Sequence, residues 1–168
     1  MKSPIKFNVW WYNIMSNGEL FFLFYLYYSI IKSPVIKRIL LVLGGIYVVY
    51  FLINYLLLTE TWNDFQSFPL AFGYAVIIFA VFWYLIEFFR SDEVLKLFDY
   101  LIIWLSIGLL VYMIVSMPVL MTRHYLIADY NANDEGLMNL MVIIQHTTNY
   151  IMYSIYVTGI LWTSKALK

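Results

Sequence analysis

The stretch YLIIWLSIGLLVYMIVSMPVLMT, residues 100–122, runs for 23 residues without a charge. A helix needs about 20 predominantly apolar residues to cross the ~30 Å hydrocarbon core of a bilayer. Hydrocarbon offers no partner to backbone amides, so such a segment must bond within itself and be α-helical. Four more stretches share this character. Phe65 to Ile86 is uncharged and stops at Glu87, and Ile39 to Leu58 follows Lys37-Arg38. Phe7 to Ile31 carries only Glu19, and a fifth stretch lies within Gly136 to Ser164. The chain therefore reads as an all-α integral membrane bundle of five transmembrane helices. It forms one domain over 1–168, with spans at about 10–31, 39–58, 65–86, 100–122 and 137–162.

Composition supports that solvent. Apolar and aromatic residues make up 64% of the chain and charged residues 12%, whereas soluble domains run near 45–50% and about 25%. Formal net charge is zero, which gives nucleic acid no footing. The absence of cysteine removes disulfides, thiolate metal sites and cysteine catalysis. Two histidines, His124 and His146, are too few for a multi-histidine metal site. The first apolar run ends in Lys32-Ser33-Pro34, with no cleavage site of small residues, so it is expected to remain as a span.

Short loops predict antiparallel neighbours. Pro34 follows the first span, and Pro69 sits in the first turn of the third, where a missing N–H costs least. Pro118 is expected to kink or end the fourth. Lys and Arg favour the cytoplasmic side. Lys2, Lys6 and Arg123 fall on one face of the membrane; Lys32, Lys37, Arg38, Arg90, Lys96, Lys165 and Lys168 fall on the other. Three against seven predicts the N-terminus outside and the C-terminus in the cytoplasm of an inner-membrane protein. The outer loops then carry Glu60, Asp64, Asp129, Asp134 and Glu135. Trp10, Trp11 and Trp62 lie at the outer interface and Trp162 at the inner one, where amphipathic rings anchor helices. A cage for a cationic ligand is the other use of such rings.

Ionisable groups inside a membrane are costly and need a partner or water. Glu19 lies about nine residues into the first span, roughly 13 Å deep at 1.5 Å per residue. His146 lies at a similar depth in the fifth. Two readings of Glu19 stand at this point. One is a buried acid; the other is a capping box, Ser16-Asn17-Gly18-Glu19, that starts the helix at Ser16. In the fifth span Asn139, His146, Tyr150 and Tyr153 fall on one narrow arc with Asn149 at its edge. That stripe is expected to face the bundle interior. The second span offers a face of Gly44, Tyr47, Phe51 and Asn54. Together these residues suggest a polar ligand pocket in the outer half of the bundle, built from Glu19, Asn54, His146, Asn149 and Tyr150.

Familiar chemistry is missing. No G-x-S-x-G element, phosphate-binding glycine loop or GxxxG occurs, and Ala71 and Ala75 form only a weak small-xxx-small pair. His124 and His146 lie at unmatched depths for a shared haem. No cofactor and no metal is expected. The mixed charges Glu87, Arg90, Asp92, Glu93, Lys96 and Asp99 read as a solvated inner loop or a docking point for a cytoplasmic partner.

Trp11 to Ile14, Glu19 to Tyr27, Ile103 to Leu110 and Asn149 to Tyr153 resemble segments of uncharacterised multi-span membrane proteins common in Bacteroidota. The resemblance implies helices ahead of this region, making the chain a short form or the last five of seven spans. It implies no reaction, only an association with membrane signalling such as sensor kinases. The expected function is a non-enzymatic, sensor-like or accessory subunit that contacts other membrane proteins or its own copies. The alternatives are a transporter or channel component using Glu19 and the polar stripe, and a lipid-acting membrane enzyme.

Overall fold

The computed structural model describes residues 9–58, 67–91, 97–128 and 135–166. It has five helices: α1 Val9–Ile30, α2 Pro34–Ile53, α3 Ser67–Phe89, α4 Leu101–Ala128 and α5 Glu135–Ala166. There is no strand among the described residues. Among the described residues three stretches are long and apolar enough to cross a membrane: Pro34–Leu56, Ser67–Phe89 and Leu101–Thr122. Lys2, Lys6, Glu60, Trp62, Asp64, Phe65, Asp92, Glu93, Lys96, Asp129, Asp134 and Lys168 lie outside the described residues.

The chain packs as two compact units, Met1–Ala80 and Val81–Lys168, with the boundary inside α3. In the N-terminal unit α1 buries Asn13, Asn17, Leu20 and Tyr27, with half-buried Phe24 between them and buried Ile31 just past its end. Those spacings alternate four and three, which keeps one seam on one side of a 3.6-residue helix. On α2, Ile36, Leu40 and Tyr47 are buried. Pairs run in opposite directions along the two helices: Phe24 sits over Gly44, Phe21 packs on Tyr47, and Lys37 Nζ lies 5.3 Å from the Tyr28 ring centre. The hairpin is tight because Ser33 caps α2, its hydroxyl accepting from Ile36 N–H, and Pro34 opens the helix. Helix α3 joins through Gly73, which faces Leu20 and Tyr47, and through Phe72, whose ring meets Tyr50 edge-on at 6.1 Å.

In the C-terminal unit α4 and α5 form the core pair. Gly108 of α4 receives the Tyr156 ring, and Gly159 of α5 receives Trp104. Ser116 meets Gln145 further along. Numbers rise on α4 as they fall on α5, so the pair is antiparallel. Near the 97–99 turn, Phe88 stacks edge-on against Tyr100 at 5.3 Å. There Phe98 also touches both Trp104 and Trp162, and Trp104 Nε1 donates to the Phe98 carbonyl.

Several boundaries differ from the sequence reading. Helix α1 passes through Ser16–Glu19 without a break, so the capping box does not start it. Helix α2 begins at Pro34 and includes Lys37 and Arg38. Charges mark where hydrocarbon ends, whereas a cap marks where the helix ends. Helix α4 continues past Pro118 to Ala128, taking in the Arg123 and His124 positions. Thr122 Oγ1 bonds to the Pro118 carbonyl at 2.9 Å. Helix α2 closes in a π-helical turn, Asn54–Leu58.

The glycines predict opposite outcomes. Nothing lies within 4 Å of a Cβ added at Gly18, so Gly18→Ala should stabilise by about 0.5–1 kcal/mol through helix propensity. A Cβ at Gly159 would overlap Trp104, so Gly159→Ala should cost about 1–3 kcal/mol as overpacking. Unfolding of detergent-solubilised protein in rising dodecyl sulfate checks both. Equal effects would contradict the close α4–α5 approach.

Candidate functional site

The N-terminal unit holds a buried polar clamp. Asn13 and Asn17 lie one turn apart on the inner seam of α1. The Asn17 amide nitrogen donates to the Asn13 carbonyl, and its oxygen accepts from the Tyr47 hydroxyl of α2. Tyr47 is 5% exposed, so a polar atom left unbonded there would be expensive. The clamp satisfies the asparagine on both sides and ties the two helices at one register.

Beside the clamp lies an apolar cavity of about 160 Å³. Leu20, Phe21 and Phe24 line it from α1, Leu41, Gly44, Gly45, Tyr47 and Val48 from α2, and Gly73, Val76 and Ile77 from α3. Added Cβ atoms at Gly44 and Gly73 would strike Phe24, and Leu20 with Tyr47, respectively. Those two glycines are therefore filled by neighbouring side chains.

In the C-terminal unit the polar stripe of α5 does not pack inward on α4. Asn139, His146, Tyr150 and Tyr153 are exposed, Tyr150 by 73%, and Asn149 is half-buried. The face on α4 is formed by Gln145, Thr148, Met152, Gly159 and Thr163. Gln145 Nε2 donates to Ser116 Oγ at 3.0 Å, and Thr148 Oγ1 to the Ile144 carbonyl at 2.8 Å. Gly159 lets Trp104 come close, and the Tyr156 ring fits over Gly108 of α4. The stripe side chains lie on the other side of α5, so the expectation that they face inward fails for this pair.

The five residues expected to form a pocket divide between the units. Glu19 and Asn54 belong to the N-terminal one; His146, Asn149 and Tyr150 belong to the C-terminal one. Glu19 is exposed on α1, about 100° around the helix from the buried Leu20. Asn54 is half-buried where α2 turns π-helical, and its N–H is shared by the Tyr50 and Phe51 carbonyls. His146 and Tyr150 are one turn apart on the exposed face of α5. Among the described residues no three His, Asp or Glu side chains gather as a metal site. Glu87 accepts from Trp83 Nε1 at 3.1 Å within α3.

No family model, no curated protein and no solved structure matches the chain. Function is therefore argued from the residues alone.

Asn13, Asn17 and Ser116 carry buried polar contacts, and none of them is among the expected pocket residues. Asn17 falls inside the Ser16–Glu19 cap pattern, and Ser116 lies in an otherwise apolar run. The usable signal was spacing: Asn13, Asn17, Leu20, Phe24, Tyr27 and Ile31 share one seam. Tyr47→Phe should leave the Asn17 oxygen without its donor and lower stability by about 0.5–2 kcal/mol, the range for interhelical bonds in membranes. A double-mutant cycle with Asn17→Leu measures it. Additive losses would show that the two side chains are not coupled.

Proposed function

We propose that the chain is a non-enzymatic membrane module, a sensor-like or accessory subunit that acts through contact with another membrane protein. In this reading all five helices cross the cytoplasmic membrane, with the N-terminus outside and the C-terminus in the cytoplasm. Helix α1 has 22 residues and α5 has 32, both long enough for a ~30 Å core. What separates them from α2, α3 and α4 is their polar content.

The single observation that carries the proposal is the exposed stripe of α5. His146 and Tyr150 make no side-chain hydrogen bond to another described residue, and their face points away from α4. In hydrocarbon such groups forgo the bonds that water would supply. Intramembrane polar residues therefore turn toward protein or a wet cavity. A partner helix with hydroxyl, amide or carboxyl groups meets that demand. Imidazole, phenol and amide each donate as well as accept, so the stripe can bond a partner of either kind.

A second reading, transport, draws on Glu19. A carboxyl group exposed on a spanning helix is suited to carry a proton or bind a cation. The two readings separate cleanly by experiment. Under the subunit reading, protein gently solubilised from its own membrane carries a second polypeptide. The pair His146→Leu, Tyr150→Leu should shed it, while Ile151→Val should keep it. Under the transport reading the protein travels alone, and a proton-coupled flux in vesicles is lost in Glu19→Gln. Absence of a second polypeptide from the parent preparation would refute the subunit reading.

A further inference from the structure

The groove on the N-terminal unit is independent of the α5 stripe and points to a ligand. Its volume is about 160 Å³, and its lining is mostly apolar; Tyr47 brings the one polar side chain among the lining residues, and its hydroxyl is bonded to Asn17. An apolar cavity of about 150 Å³ elsewhere stays dry and takes up a benzene-sized guest. The groove thus has room for a hydrocarbon piece of roughly six carbons. It also has a mouth: Phe21, Leu41 and Gly45, all lining residues, are exposed.

Gly45 decides the character of that mouth. Unlike Gly44 and Gly73, it has nothing within 4 Å of an added Cβ. A second apolar depression, lined by Gly45, Ile46, Val49, Tyr50 and Ile53, adjoins along the same helix. The two concavities share Gly45 and continue along the outer face of α2, only 11% of whose apolar window is buried. Gly45 lies six residues after Ile39, where the charge-free run begins, about 9 Å into it at 1.5 Å per residue. That is inside a ~30 Å hydrocarbon core. The medium at that depth is lipid chain, without water or headgroups.

We propose that the groove at Gly45 is a binding site for the acyl chain of a membrane lipid, which lies along α2 and inserts between Phe21 and Leu41. Hydrophobic transfer does not drive this, because the chain leaves one hydrocarbon medium for another. Dispersion does: an empty crevice has no atoms facing Leu20, Phe24 and Ile77, and a flexible chain restores those contacts. A bound chain would couple lipid composition to the spacing of α1, α2 and α3 beside the clamp.

The test uses the full chain in phosphatidylcholine vesicles doped with a phospholipid that carries a diazirine midway along one acyl chain. After irradiation, digestion and mass mapping locate the adducts. The proposal expects label at Leu41–Val48 and at Leu20–Phe24 several-fold above that at exposed residues of other helices, such as Ile114 and Ile151. Gly45→Leu, whose Cβ meets nothing within 4 Å, places a large side chain at the mouth and should abolish the excess, while Gly45→Ala should keep most of it. Even labelling over all exposed helix faces would overturn the proposal. So would an excess that survives Gly45→Leu, or a groove shielded from the probe by a second copy or another protein. Should Gly45→Leu fail to fold, the parent's own map decides between concentrated and even label.

Discussion

Hydrocarbon is the constraint from which the rest follows. It gives backbone amides no partner, which forces helices, and it gives packed helices no hydrophobic reward for meeting. Association must then come from close approach and from interhelical hydrogen bonds. Both units use these two devices together. The N-terminal one has Gly44 under Phe24, Gly73 under Leu20, and the Tyr47–Asn17 bond. The C-terminal one has Gly108 under Tyr156, Gly159 under Trp104, and the Gln145–Ser116 bond. At Gly44, Gly108 and Gly159 a large ring sits in the space that a missing side chain leaves; at Gly73 it is Leu20, beside the Tyr47 ring. These polar pairs then help fix the register that close packing alone would leave free to slide.

The existence and number of helices were legible because charge is so scarce. Runs without Lys, Arg, Asp or Glu mark the helices to within a few residues, except where local chemistry overrides the charge pattern. Ser33 and Pro34 start α2 ahead of Lys37 and Arg38, since capping acts on the backbone and not on the bilayer boundary. Thr122 bonds the carbonyl of Pro118, in a helix that runs on to Ala128. The capping motif at Ser16–Glu19 is real as a pattern, yet α1 is already under way before it. Three helices meet the full demand of length and apolarity for a span; the crossing of α1 and α5 rests on their length and on partners for their polar groups.

The site was less legible, for one physical reason. Sequence periodicity shows that polar residues share a face, but it does not show which way the face turns. On α5 the α4 side holds Gln145, Thr148, Met152, Gly159 and Thr163, with Gly159 under Trp104 and the Tyr156 ring over Gly108. His146, Tyr150 and Tyr153 are left outside. On α1 the arrangement is the reverse. Asn13 and Asn17 are small enough to turn inward, where Tyr47 meets Asn17, and Glu19 is carried outward by its place a quarter-turn from Leu20.

The account's central claim is that the outer face of α5 is covered by protein in its own membrane. The chain has no cysteine, so a nitroxide on a single introduced cysteine reports one position alone. Ile143 and Val157 share the stripe's side of α5 and are 61% and 55% exposed; Val42 and Leu52 of α2 are 62% and 45% exposed. Collision of each nitroxide with oxygen dissolved in native membranes is the decisive quantity. The account predicts clearly lower oxygen access at Ile143 and Val157 than at Val42 and Leu52. Equal access at all four positions would mean that lipid bathes the stripe, and would contradict the claim.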